Sequence, residues 1–421
     1  MCSTWPLGVT WDTQNANFNF TGAGAVIAGT LNAGTGNITI TDTFNHTNGG
    51  GIILNSGADL IGSTVTLHSN VPVGFGAQIR LNSGSQINAS VNTVLQDDSN
   101  YSAMWLVGTA QSGVVLIAAA TITSPLLTIQ NVTGEFTDNG ATINTLPSNI
   151  TISGGLFNLP SGITWNTQNS DFNFTGIGAI IAGTLNAGTG NITITDTYNH
   201  SNGGGIILNS GADLIGGIIT LHSNAAPWGA QIRLNSGSQI NASANTILRD
   251  DSNLQANDGN GVAGVLMNSG ASITSPLLTV QTAGSELTYG GTTLNISGST
   301  AFERAGATGI KIAANVSLPS LILREDTAPV FSNSATVTTA GNLTIAPYAS
   351  NTMGVGPTSG STLNIADSLF ASLIAGSYTF GATTTVAGAT NSGLLTVNTG
   401  HDFGDESVTF VSGGNIASPG R

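Results

Sequence analysis

The sequence predicts an all-β solenoid, a parallel β-helix whose coils run to roughly 20–30 residues. Three observations predict it. The chain repeats itself over a long period, a shorter unit of brief apolar runs and Asn-Ser-Gly turns recurs inside that period, and charge is scarce while Gly, Asn, Ser and Thr abound.

The long repeat comes first. Residues 11–70 match residues 165–224 at a constant shift of 154, with ten differences in sixty positions. The shift falls to 153 at Gln78/Gln231 and to 151 at Ile122/Ile273, and the match fades after Asn144/Asn295. Length therefore varies at Val71–Gly76 against Ala225–Gly229, and between Tyr101–Ala120 and Leu254–Gly270. Length differences between near-identical copies point to solvent-facing loops. Three segments follow: 1–153 as the first long repeat, 154–300 as the second, and 301–421 as a C-terminal run of coils. Pro6-Leu-Gly-Val-Thr-Trp resembles Pro160-Ser-Gly-Ile-Thr-Trp, so the chain is expected to open partway into a unit, as a piece of a longer protein.

The short unit sets the secondary structure. Leu208-Asn-Ser-Gly, Leu234-Asn-Ser-Gly and Met267-Asn-Ser-Gly lie 26 and 33 residues apart, each with an apolar residue five positions after its Asn: Leu214, Ile240 and Ile273. Brief alternating runs that end in a turn signal read as strands, and no segment holds a helical period. A string of β-sandwich domains is the competing fold. It would need an aromatic core per domain, and aromatics are only 6% of this chain.

Composition fits stacked coils. Charged residues are 7% and apolar residues 40%, with 57 Gly, which excludes a disordered chain. Equivalent positions of successive coils stack about 4.8 Å apart. A repeated charge there would make a repulsive ladder, whereas Asn amides and Thr hydroxyls can hydrogen-bond along the stack. Net charge is −14, and the seven basic residues (Arg80, Arg233, Arg249, Arg304, Lys311, Arg324, Arg421) are dispersed, which argues against nucleic acid and anionic membranes as partners. The single Cys2 excludes an internal disulfide. The N-terminus lacks the basic and apolar regions of a signal peptide, so any export signal is expected outside this chain. The longest apolar run, Gly113 to Ala120, is far short of the ~20 residues of a membrane helix, so no transmembrane segment is expected.

From about Asn342 the chain resembles the filamentous haemagglutinin-like large exoproteins of bacterial two-partner secretion. Asn342-Leu-Thr-Ile, Thr352-Met-Gly-Val-Gly, Ser361-Thr-Leu-Asn-Ile-Ala-Asp-Ser-Leu, Ile374-Ala-Gly-Ser-Tyr-Thr-Phe-Gly and Leu394-Leu-Thr-Val-Asn-Thr carry the resemblance, in that order. It covers the last ~80 residues well and the rest in pattern. It implies a right-handed parallel β-helix, export through an outer-membrane β-barrel transporter, and display at the bacterial cell surface as a virulence-associated adhesin for a host-cell or matrix glycan or protein receptor. The Asn-Pro-Asn motifs of the family's secretion domain are absent, since the chain has no Asn-Pro pair. The expectation is a β-helical shaft segment acting in cell adhesion and biofilm contacts. Two alternatives stand beside it, a carbohydrate-active β-helix enzyme (polysaccharide lyase or hydrolase) and a purely structural spacer.

The chemistry-bearing residues point away from an enzyme, and no catalytic, cofactor or metal residues are expected. Asp97-Asp98 and Asp250-Asp251 are copies of one another and read as solvated turns. The neighbouring Arg249 is Gln96 in the first copy, so a base would be lost between copies. His46 and His200, and His68 and His222, are likewise copies without a second His at a ligand spacing, and read as turn or surface residues. Gly400-His-Asp-Phe-Gly-Asp-Glu-Ser only loosely resembles a calcium loop. Thr39, Thr41 and Thr43 would suit an ice-binding face only if the pattern recurred on nearly every coil, so they read as a Thr ladder on one sheet. Asn-x-Ser/Thr sequons at Asn19, Asn37, Asn45, Asn131, Asn191, Asn295 and Asn342 are candidate glycosylation sites. Trp105 and Trp228, in the length-variable loops, are the candidate ligand contacts, because Trp is enriched at binding hot spots.

Overall fold

A coil runs through a short first-face strand, a turn, and further strands on a second and a third face, and in several coils the turn carries Asn (Asn55, Asn82, Asn209, Asn235, Asn268). The computed structural model describes residues 3–46, 50–71, 78–99, 113–132, 134–145, 150–198, 200, 204–224, 231–252, 264–306, 308–349, 352–357, 361–383 and 393–418. About 60% of the chain is strand and 2% helix. Among the described residues the named strands pair in parallel throughout. The fold is a parallel β-helix.

The chain forms two compact units, the first comprising 1–197 with 211–217 and the second 198–210 with 218–421. The division falls inside the second long repeat. Coils are numbered here in chain order by their first-face strand. In unit 1 these are Ser3–Trp5, Ala25–Ile27, Gly51–Leu54, Gln78–Leu81, Gly113–Ile117, Glu135–Asn139, Leu156–Leu159 and Ala179–Ile181, coils 1 to 8. In unit 2 they are Gly205–Leu208, Gln231–Leu234, Gly264–Asn268, Glu286–Gly290, Lys311–Ile312 and Val330–Phe331, coils 9 to 14. Residues 25 and 179 begin coils 2 and 8, so the 154-residue repeat is six coils long.

The second and third faces of a coil are sometimes one bent strand. Gln86–Asp97 is the clearest case: Gln86 to Asn88 pair with Thr121 to Thr123, and Asn92 to Asp97 pair with Leu126 to Asn131. The bend carries a register shift between Ala89 and Asn92. Bulges of this kind re-aim a strand without ending it. Pairing thus passes through the corner from one face to the next, and no closed barrel results.

Alternation along each strand sends one set of side chains inward, where they stack coil on coil. In unit 1 the third face aligns Leu67, Leu95, Ile129, Ile152, Phe174 and Ile194. In unit 2 it aligns Leu248, Val280, Phe302, Leu323 and Ile345. All of these are buried. Aromatics replace aliphatics in coils 6 and 7, where Phe136, Phe157, Trp165, Phe172 and Phe174 pack together, with Phe136 and Phe157 stacked at 5.7 Å. That aromatic layer lies where the two long repeats meet.

The turn between the first and second faces explains the Leu-Asn-Ser-Gly signature. The Asn side chains stack: Asn82 Nδ2 donates to Asn55 Oδ1 at 2.9 Å, Asn235 Nδ2 to Asn209 Oδ1 at 3.0 Å, and Asn268 Nδ2 to Asn235 Oδ1 at 3.3 Å. An amide is both donor and acceptor, so identical residues extend the chain without a mismatch. The Gly closes the turn with φ near +85° at Gly57 and +82° at Gly237, a conformation that penalises any Cβ. Past coil 14 the first face gives way to a sheet of Leu363–Ile365, Met353–Val355, Leu395–Val397 and Ile416–Ala417, beside a short 3-10 helix, Asp367–Ser372.

Candidate functional site

The outside of the third face differs sharply between the units. In unit 1 one outward column holds Thr39, Thr66, Val94, Thr128, Thr151 and Asn173, and the next holds Thr41, His68, Gln96, Gln130, Ser153 and Thr175. Apart from His68 these are uncharged, and most are hydroxyls or amides. The Thr39 and Thr41 side chains lie in these columns, whereas Thr43 lies past the strand and donates its hydroxyl to Gly22 O at 3.2 Å. The pattern is the Thr ladder that the spacing suggests, broadened to Asn, Gln and Ser on the other coils.

In unit 2 the corresponding columns become charged and apolar. Arg249, Gln281, Glu303 and Arg324 occupy successive rungs of coils 10 to 13, beside Ile247, Thr279, Ala301 and Ile322. At one end Asp251 engages two side chains: its Oδ2 meets His222 Nε2 at 2.8 Å, and its Oδ1 accepts from Arg249 Nε at 2.7 Å. Burial pushes the Asp251 carboxyl up, but these two partners outweigh it and hold it below the ordinary range. Two rungs on, burial pushes Glu303 up, and Arg324, whose Nε lies 3.8 Å from Glu303 Oε1, offsets this only in part. Tyr348, just past the third-face strand of coil 14, reaches back so that its hydroxyl accepts from Gln281 Nε2 at 3.1 Å. Burial raises that phenol, with Glu303, Arg249 and Asp251 all close enough to act on it.

The paired carboxylates thus behave differently from the solvated turn their sequence suggests. Asp97 and Asp250 end the third-face strands pointing inward and are fully buried. Asp97 accepts from Ser99, through both its N–H at 3.2 Å and its hydroxyl at 2.6 Å. Asp250 does the same with Ser252 and also binds Ser285. Burial pushes both carboxyls up. These buried Asp side chains pin the chain as it leaves the third face. Only the second member of each pair is outside, where Asp98 meets His68 at 2.7 Å as Asp251 meets His222. A carboxylate pair split across the wall of the coil cannot act on one substrate.

The remaining sequence candidates fall into structural roles. His46 lies 3.0 Å from Asp42 and edge-on to Phe44, and closes a turn as expected. In the Gly400–Ser407 segment, Asp402 caps Gly404 N–H at 2.9 Å, while His401 stacks on Phe370 at 4.6 Å. No group of three or more metal-ligating side chains occurs among the described residues. Of the sequons, Asn131 is buried, while Asn19, Asn45 and Asn295 are exposed. Trp105 and Trp228 lie outside the described residues, as do residues 72–76, 225–229 and 101–111 of the variable loops. No helix among the described residues is long and apolar enough to cross a membrane. The Arg249–Tyr348 cluster escaped sequence reasoning because its successive members are 21 to 32 residues apart and the coil register brings them together. The loss of Gln96 to Arg249 between copies was the available signal.

Comparison with family models, with curated proteins and with solved structures finds no match to this chain.

Proposed function

We propose that this chain is a shaft segment of a bacterial surface adhesin, which presents repeated weak contacts along a β-helix. The observation that carries the reading is repetition. The third face of unit 1 offers a surface made mostly of hydroxyls and amides rung after rung. Many modest contacts on one rigid body give avidity without a deep pocket. The resemblance of residues 342–399 to large exoproteins supplies the rest of the proposal: export through an outer-membrane β-barrel partner, display at the cell surface, and a host-cell or matrix receptor. Beads coated with the chain should adhere to cells or matrix, and adhesion should rise more steeply than linearly with surface density. Beads that fail to adhere at any density would leave the chain as a spacer.

A hydrolytic reading has one observation in its favour, the opposite displacement of the Asp251 and Glu303 carboxyls, which is how acid and base partners are commonly set apart. Against it, both Asp251 oxygens are already engaged by His222 and Arg249. Release of reducing ends from a polysaccharide panel would promote this reading over adhesion.

A further inference from the structure

Coils 4 to 6 and the coils six places later, 10 to 12, agree on the inside of the third face and part company on the outside. Coils 4, 5 and 6 place Leu95, Ile129 and Ile152 inward, and six coils later the same positions hold Leu248, Val280 and Phe302. Outward, Gln96 and Ser153 give way to Arg249 and Glu303, while Gln130 and Gln281 stay alike between them. Core packing does not call for the change, since the inward residues stay apolar. Solvation does not call for it either, since the neutral rungs of unit 1 already serve. Glu303 and Arg324 are instead drawn partly out of water, with side-chain exposures of 15% and 21%, while Arg249 stays 49% exposed. Partly desolvated polar groups held in register on a rigid wall are what a ligand site requires.

We propose that the outer third face of coils 10 to 13 binds an uncharged polysaccharide, lying along the stacking direction and held by Arg249, Gln281, Glu303, Arg324 and Tyr348. The proposal rests on the adhesive reading and names its ligand class. Charge argues for an uncharged partner, because Asp251 answers Arg249 and Glu303 answers Arg324 within the site. Shape and chemistry argue for a saccharide. Guanidinium, amide and carboxylate are planar groups that each meet two neighbouring hydroxyls at once. The Tyr348 ring and the flanking Ile247 and Ile322 offer apolar surface to the C–H faces of sugar rings. Rungs about 4.8 Å apart are close to the rise of one sugar in an extended chain, so successive sugars meet successive rungs. A peptide adding as a strand is disfavoured, because these coils pair on both sides and leave no open sheet edge.

Affinity electrophoresis of the whole chain tests this, in native gels cast with a soluble β-glucan, a galactomannan, dextran or the anionic polymer alginate. At least one uncharged polymer should retard the wild type. Gln281→Ala and Tyr348→Phe should each weaken that retardation about fivefold or more, while Val91→Ala, at an exposed corner of unit 1 between the second and third faces, should leave it unchanged. Matching circular dichroism and thermal midpoints establish that the variants fold. The proposal is overturned by no retardation in any uncharged polymer, by retardation in alginate alone, by undiminished retardation of both site variants, or by release of reducing ends. The two readings fail separately. Wild-type beads that adhere equally well with Gln281→Ala would remove this site and leave the adhesin, whereas polysaccharide binding without bead adhesion would do the reverse.

Discussion

Glu325 is buried completely at the end of a third-face strand, one rung beyond Arg304. Burial pushes its carboxyl from the ordinary 4.5 up to about 8, although the Ile310 N–H at 2.9 Å and the charge of Arg304 pull the other way and Asp326 adds to the rise. The folded chain therefore keeps a proton that the unfolded chain releases. The associated stability is fully present below pH 4.5 and is lost as pH rises through about 8. Thermal melts of the wild type should fall across that window. Glu325→Gln, nearly isosteric with the protonated acid, should flatten the fall, and an unaltered slope would place the titration elsewhere. The Asn turn ladder is a second residue-scale case. Asn235 bonds both the Asn before it and the Asn after it. Asn235→Ala should cost about 1–3 kcal/mol in urea denaturation, since two neighbours lose a partner.

At the scale of a strand, stacking makes a substitution a neighbour's concern. Phe302 lies between Val280 and Leu323 in the inward stack of unit 2 and is fully buried. Phe302→Ala should cost about 3–5 kcal/mol by urea unfolding, because adjacent rungs fix the cavity walls. Outside, Thr128 and Thr151 are adjacent rungs of unit 1. Either alone changed to Lys should be nearly neutral, and the pair should lose an additional ~0.2–1 kcal/mol that salt restores, since like charges on facing rungs repel. Strand placement was legible in the sequence because Asn-Ser-Gly turns and period-two apolar runs are local signals. Leu208, Leu234 and Met267 do stand at the same point of successive coils. The inward turn of Asp97 and Asp250 was not legible. A dipeptide of two acids carries no mark of which member the strand end buries, and Ser99 and Ser252, which satisfy them, look like ordinary turn residues. Nor was the Arg249–Tyr348 cluster, for Tyr348 and Gln281 are 67 residues apart and meet only through the coil register.

Within each unit, the strands touch mainly the strands of the neighbouring coils, which weakens the all-or-none character of unfolding. Calorimetric enthalpy should exceed the van't Hoff value, whereas equality would mean that each chain melts as a single block. The tryptophans offer a second reading of the same gradient. Trp11 and Trp165 occupy corresponding positions of coils 1 and 7, yet Trp11 is 51% exposed and Trp165 1%. Acrylamide should quench Trp11 freely and Trp165 hardly at all, as the single replacements Trp11→Phe and Trp165→Phe can separate. The six-coil length of the long repeat has a genetic side. Where the coding segments of two such matching stretches exchange unequally, the product would gain or lose six whole coils. Each product keeps its aliphatic stacks in phase and its Asn turns aligned, because no coil is cut. Inherited variation in the length of such a protein would then come in steps that the fold already tolerates.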